Sequence, residues 1–228
     1  MRAATRGAVA ELQEVADASR LPGMARVGIN VDRAIGVSVP NLRRLGRRLG
    51  PDHALALDLW RTGIHEARIL ASMVDDPAQV TRDQMEDWVL DFDSWDLCDQ
   101  VVGNLFELTS FPASVPRAWT KRSEEFVKRA GFALIAARAV RDRSAPDRTF
   151  IAWFPAIRHG ATDDRNYVKK AVSWALRQIG KRNLELNTAA IAEAETLSEH
   201  GVPSARWVGR DALRELRLDE TQRRLRKG

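Results

Sequence analysis

The stretch "NYVKKAVSWALRQIG", residues 166–180, decides the fold. Val168, Ala171, Val172, Ala175, Leu176 and Ile179 recur at i, i+3, i+4, i+7, i+8 and i+11, the single apolar stripe of an amphipathic helix. Thr162-Asp-Asp ahead of it reads as the start, and Gly180 as the stop. The same punctuation recurs outward along the chain. Thr81-Arg-Asp-Gln forms a capping box before "MEDWVLDF". Ser94 or Asp93 opens the next helix, Ser123 opens "FVKRAGFALIAARAV", and Ser144-Ala-Pro-Asp opens "RTFIAWFPAI". Gly201-Val-Pro-Ser separates the last two helices. No segment has the period-2 alternation of a strand. Helix pairs begin near residues 81, 116, 147 and 185, spacings somewhat shorter than the ~40–47 residues of HEAT or armadillo repeats. The expectation is an all-α chain, a curved superhelical stack of HEAT-like antiparallel helix pairs, whose concave face binds. Residues 1–228 are expected to form one such domain, with 217–228 a mobile basic tail.

Composition narrows the partners. The chain has 228 residues, 44% of them hydrophobic and 29% charged, with a formal net charge of +5. No run approaches the ~20 apolar residues of a membrane span. The N-terminus lacks the apolar core of a secretory signal. The single cysteine, Cys98, allows no internal disulfide, and the four histidines lack zinc-ligand spacing. A reduced, cytoplasmic monomer without metal or cofactor is the expectation. The charge is unevenly placed. Residues 1–50 carry nine basic against four acidic side chains, and 51–110 carry three against thirteen. Residues 111–182 carry sixteen against six, and 183–228 eight against eight. The third segment is a local field of one sign, suited either to a polyanion such as nucleic acid or to plain solvation.

Helix geometry selects candidate site residues. At about 100° per residue, Trp174 lies about 130° from the middle of the 168–179 stripe. It shares that outward face with Tyr167, Lys170, Arg177 and Lys181. An aromatic flanked by cations suits a DNA backbone, but a neighbouring helix could equally cover it. In "DFDSWDLCDQVVGNLF", residues 91–106, Cys98, Val101, Val102, Leu105 and Phe106 form the core stripe. Asp91, Asp93 and Asp96 are explained by the helix N-terminus, where carboxylates cap free N–H groups. Asp99 lies past the first turn, one turn after Trp95 at the edge of the stripe, and needs either an ion-pair partner or a chemical task. "EEFVKRAGFALIAARAV" is apolar all round after Arg129. That arginine either pairs with Glu125 or meets an anion.

Three of these helices together resemble the AlkD-type alkylpurine DNA glycosylases, DNA alkylation repair proteins built from HEAT-like repeats. The shared elements are W-D-x-x-D in "SWDLCDQVV", R-A in "FVKRAGFALIA" and K-A-x-x-W-A-L-R in "NYVKKAVSWALRQIGKRN", spread over residues 10–216. The resemblance implies hydrolysis of the glycosidic bond of cationic purines, such as 3-methyladenine and 7-methylguanine, in double-stranded DNA. It implies no cofactor and no flipping of the base. Trp95 and Trp174 match the tryptophans that hold the deoxyribose, Asp99 the catalytic carboxylate, and Arg129 an arginine on the DNA backbone. Lys169, Lys170, Tyr167 and Arg177 extend the expected DNA-binding set. Two departures stand out: Val27 where relatives often carry an aromatic, and a longer connection over residues 141–150. Two other readings remain open. One is a non-catalytic HEAT-like scaffold that binds DNA structure. The other is a metal-dependent phosphoesterase using Asp91, Asp93 and Asp96.

Overall fold

The computed structural model describes residues 2–111 and 114–227. The regular elements among these residues are all helices, with no strand among them. Their contacts group into two compact units, residues 1–111 and 112–228.

The first unit comprises α1 (Ala3–Glu14), α2 (Leu21–Arg26), α3 (Val39–Leu49), α4 (His53–Arg61), α5 (His65–Val74), α6 (Arg82–Leu90) and α7 (Trp95–Asn104). α5 is central, packing on α3, α4 and α7. α4 and α6 meet through Trp60 and Trp88, whose rings stack 3.9 Å apart at 5°. Thr81 caps α6 as read, accepting from the Gln84 N–H, while the Gln84 side chain donates to Asp75 at 2.7 Å. A buried carboxylate fixes the long connection between α2 and α3. Glu66 on α5 is 1% exposed and accepts from the backbone N–H groups of Ile35, Gly36 and Val37. Three donors satisfy a charge that would otherwise be costly to bury.

The second unit comprises α8 (Val115–Trp119), α9 (Glu125–Arg141), α10 (Asp147–Ile151), α11 (Phe154–Ala161), α12 (Asn166–Gly180), α13 (Leu184–Ser198), α14 (Pro203–Leu216) and α15 (Asp219–Leu225). α12 lies between α9 and α14, while α8, α11 and α13 pack as their pair partners. All six residues of the 168–179 stripe are buried in one core with Phe132, Ile135, Phe150, Leu197 and Leu216. "RTFIAWFPAI" is two helices, α10 and α11, rather than one. Pro155 occupies the first turn of α11, a position that tolerates its missing N–H, and the helix starts afresh there. The expected mobile tail is also corrected. Over the described part of 217–228, α15 buries Thr221 and Leu225, and Gln222 donates to Asn187 Oδ1 at 3.0 Å and to the Leu216 carbonyl at 2.7 Å.

Candidate nucleic-acid interface

The four aspartates of residues 91–99 separate by partner. Asp91 accepts from Trp60 Nε1 at 2.8 Å and pairs with Arg68 at 2.8 Å. Asp93 accepts from Asn30 Nδ2 at 2.9 Å and from Ser94 Oγ at 3.2 Å. Asp96 meets His65 Nε2 at 2.9 Å. These three are therefore ties to α4, α5 and the connection after α2, rather than the helix caps expected. Ser94 is the N-cap residue of α7, without a side-chain cap bond. Nor do the three converge on a shared ligand position, as a metal-dependent phosphoesterase would require. His65 is buried. Burial disfavours its charge, but the hydrogen bond and charge of Asp96, with Glu66 and Asp93 nearby, outweigh that, and its pKa is raised.

Asp99 is the remaining aspartate of the stretch. It lies one turn after Trp95 on the same side of α7, and both residues are half-buried. Trp95 is oriented by its indole N–H, which donates to the Val27 carbonyl at 3.0 Å. Val27 itself is 57% exposed, so the position contributes its backbone while its side chain faces water. Glu66 fixes one end of this connection and the Asn30–Asp93 bond its middle.

In the second unit the outward face of α12 is partly as expected. Trp174 is half-buried against the edge of the core. With the Gln178 amide turned to satisfy its neighbours, Trp174 Nε1 donates to the Gln178 oxygen at 2.9 Å and Lys181 Nζ to the same atom at 3.1 Å. Tyr167 packs on Phe126 with ring centroids 5.6 Å apart. Lys170 is exposed and has no ion pair among the described residues. Arg177 differs from the expectation. Ser173, Arg177 and Lys181 recur at about one-turn spacing and face α14. Ser173 donates to Asp211 at 2.7 Å, and Arg177 and Lys181 both pair with Glu215. Burial pushes the Glu215 pKa up, but these two cations outweigh it and the net shift is downward. Arg177 is thus committed to a helix–helix ion-pair cluster. Lys169 also turns to α14, its ammonium 5.4 Å from the Trp207 ring centroid.

Arg129 is 6% exposed, and its Nη1 donates to the Tyr167 carbonyl at 2.8 Å, tying α9 to the first turn of α12. Just before that turn, Asp163 is held by Arg165 and Lys128 (2.9 Å to the latter), and its pKa is lowered by those contacts. The start of Trp174's helix is therefore fixed by two anchors on α9. Trp207 is a residue that the sequence reading missed. It is 36% exposed on α14, off the buried Ala205–Val208–Ala212–Leu216 stripe and flanked by Arg206 and Arg210. The test that singled out Trp174, an aromatic among cations away from the core stripe, would have found it.

The description "DNA alkylation repair enzyme" fits residues 8–216 of the chain. The protein belongs to the DNA alkylation repair enzyme family. A solved structure, described as a new family of proteins related to the HEAT-like repeat DNA glycosylases with affinity for branched DNA structures, is similar to it with a TM-score of 0.76. The two are 14% identical, over 92% of this chain and 94% of that one, so they share the fold. An engineered protein aligns at 12% identity over 79% of this chain and 93% of its own, with a TM-score of only 0.36. No curated protein matches. No helix among the described residues is long and apolar enough to cross a membrane.

Proposed function

We propose that this member of the DNA alkylation repair family is a monofunctional glycosylase. It hydrolyses the N-glycosidic bond of cationic N-alkylated purines in duplex DNA and leaves the base in the stack. The observation that carries the reading is the placement of Asp99 one turn beyond Trp95 on the same side of α7. A purine alkylated at a ring nitrogen is already positively charged and departs as a neutral base. Positive charge then develops on the deoxyribose, where a fixed carboxylate stabilises it and orients the attacking water. Water adds to C1′, its proton is lost, and an abasic site remains. In this reading Trp95 on the first unit and Trp174 on the second each contact the DNA backbone, and Lys170 takes a phosphate. Arg129 acts at one remove, by holding the Tyr167 turn of α12.

A second reading, non-catalytic binding of DNA structure, is favoured by one observation: the protein of the same fold with affinity for branched DNA. One experiment separates them. Wild-type protein is incubated with duplexes carrying a single 7-methylguanine, uracil or hypoxanthine, and abasic sites are counted. In parallel, its affinity for a four-way junction is compared with that for plain duplex. The glycosylase reading expects release of 7-methylguanine and none of the neutral bases. No release together with a strong junction preference would replace it with the binding reading.

A further inference from the structure

The C-terminal ends of α9 and α12 meet the start of α13 and the end of α15 around a cavity of about 540 Å³. Arg143, Lys181, Arg182 and Arg224 line it against one carboxylate, Asp147. Asp147 is occupied by Asn183 Nδ2 at 2.9 and 3.0 Å, and Lys181 by Glu215 and Gln178. Arg182 donates from Nη1 to the Ala139 carbonyl at 2.6 Å and lies 4.0 Å from the Phe150 ring centroid. Its Nε is buried with no acceptor. Arg143 and Arg224 are exposed and make no ion pair among the described residues. The carbonyl ends of helices would by themselves favour a cation here. Arg182 already answers them through Ala139, so the charge of Arg143 and Arg224 is surplus. Guanidinium groups around a concave, net-positive site suit the oxygens of a phosphate.

The cavity is continuous with the face that bears Trp174. Gln178 lines the cavity and its oxygen accepts from both Trp174 and Lys181, which places the cavity's edge four residues along α12 from that tryptophan. Four residues rise about 6 Å, close to two nucleotide steps at ~3.4 Å per step of a strand. We propose that Arg143, Arg182 and Arg224 bind one backbone phosphate of DNA, about two nucleotides from the residue held at Trp174. The inference rests on the DNA-binding part of the function proposed above and does not require the glycosylase chemistry.

The test uses Arg143→Glu and Arg224→Glu, singly and together, in the full chain. Both positions are exposed, so folding should be retained, and thermal melts check it. Each variant's affinity for undamaged duplex is measured across a salt series. Loss of one phosphate contact should lower the slope of log K against log salt by about 0.9. Because the two arginines share one phosphate, the double variant should lose about the same as either single one. A slope unchanged in all three variants would overturn the proposal, as would losses that add as for two independent surface charges. In a second arm, thermal stabilisation of the wild type by inorganic phosphate or dAMP, with the DNA slopes unchanged, would assign the cavity to a free phosphate compound instead. If the wild type binds duplex but releases no base, the glycosylase reading fails and the cavity test still stands.

Discussion

Gly209→Ala offers a stability prediction whose sign follows from geometry. Gly209 lies in α14 where it crosses α13. A Cβ there would stand 2.4 Å from the Ser198 nitrogen, 2.5 Å from the Ala194 oxygen and 2.9 Å from the Leu197 carbonyl carbon. All three are backbone atoms of α13, which cannot rotate away, so the two helices must separate by about 1 Å to restore ordinary contact in a close-packed interior. Overpacking of this kind costs about 1–3 kcal/mol. Alanine returns up to ~1 kcal/mol through better helix propensity. With a backbone clash the first effect wins, leaving about 1–2 kcal/mol of net destabilisation. For a chain of this length that lowers Tm by about 2–8 °C. Gly7 in α1 is the control, because a Cβ there meets nothing within 4 Å. Gly7→Ala should keep the propensity gain and raise Tm. The assay is a thermal melt followed by far-ultraviolet circular dichroism. A Gly209→Ala variant melting at or above wild type would refute the close approach of α13 and α14.

Three further outcomes are expected. Because the His65 pKa is raised in the folded state, its pairing with Asp96 stabilises the protein fully below the unfolded pKa of about 6.5. That contribution is lost as pH rises through the folded value, so His65→Gln should flatten the fall in Tm above pH 6.5; an unchanged profile would show the pair to be inert. Lys170→Glu should lower the salt slope of duplex binding by about 0.9 with little change in Tm. Arg177→Glu should instead lower Tm, since it places a third carboxylate beside Glu215 and Asp211; a pure binding defect in Arg177→Glu would count against the ion-pair assignment. Leu225→Ala should cost about 2 kcal/mol in urea titration if α15 is packed as described, and no loss would restore the mobile tail.

The helices were legible because their signals are local. The 168–179 stripe specifies both the helix and its buried face, and all six stripe residues are in the core. The Thr81 cap was also legible, being set within four residues. What the sequence misdirected was set from afar. Asp91, Asp93 and Asp96 read as caps because of where they stand, yet each has a partner 23–63 residues away. Arg177 and Lys169 are on the faces expected, but a helix wheel does not carry the identity of the neighbour, and Glu215 and Trp207 decide what those cations do. The basic composition of residues 217–228 concealed α15, whose anchors are Leu225 and the Gln222–Asn187 bond. The starts expected at Ser123, Ser144 and Thr162 fall at Glu124, Pro146 and Arg165, none with a side-chain cap bond. Those helices are held by packing rather than by capping.

The most direct test of the proposed chemistry is single-turnover release of 7-methylguanine from duplex DNA by wild type and Asp99→Asn. The substitution keeps the shape and removes the charge. A carboxylate about 4 Å from a developing cation interacts by roughly 4 kcal/mol at an effective dielectric near 20. At ~1.36 kcal/mol per tenfold, its loss should slow the chemical step by up to about 10³-fold. Binding to undamaged duplex should be equal or slightly tighter. A variant that releases 7-methylguanine at the wild-type rate would make Asp99 a structural residue and contradict the account.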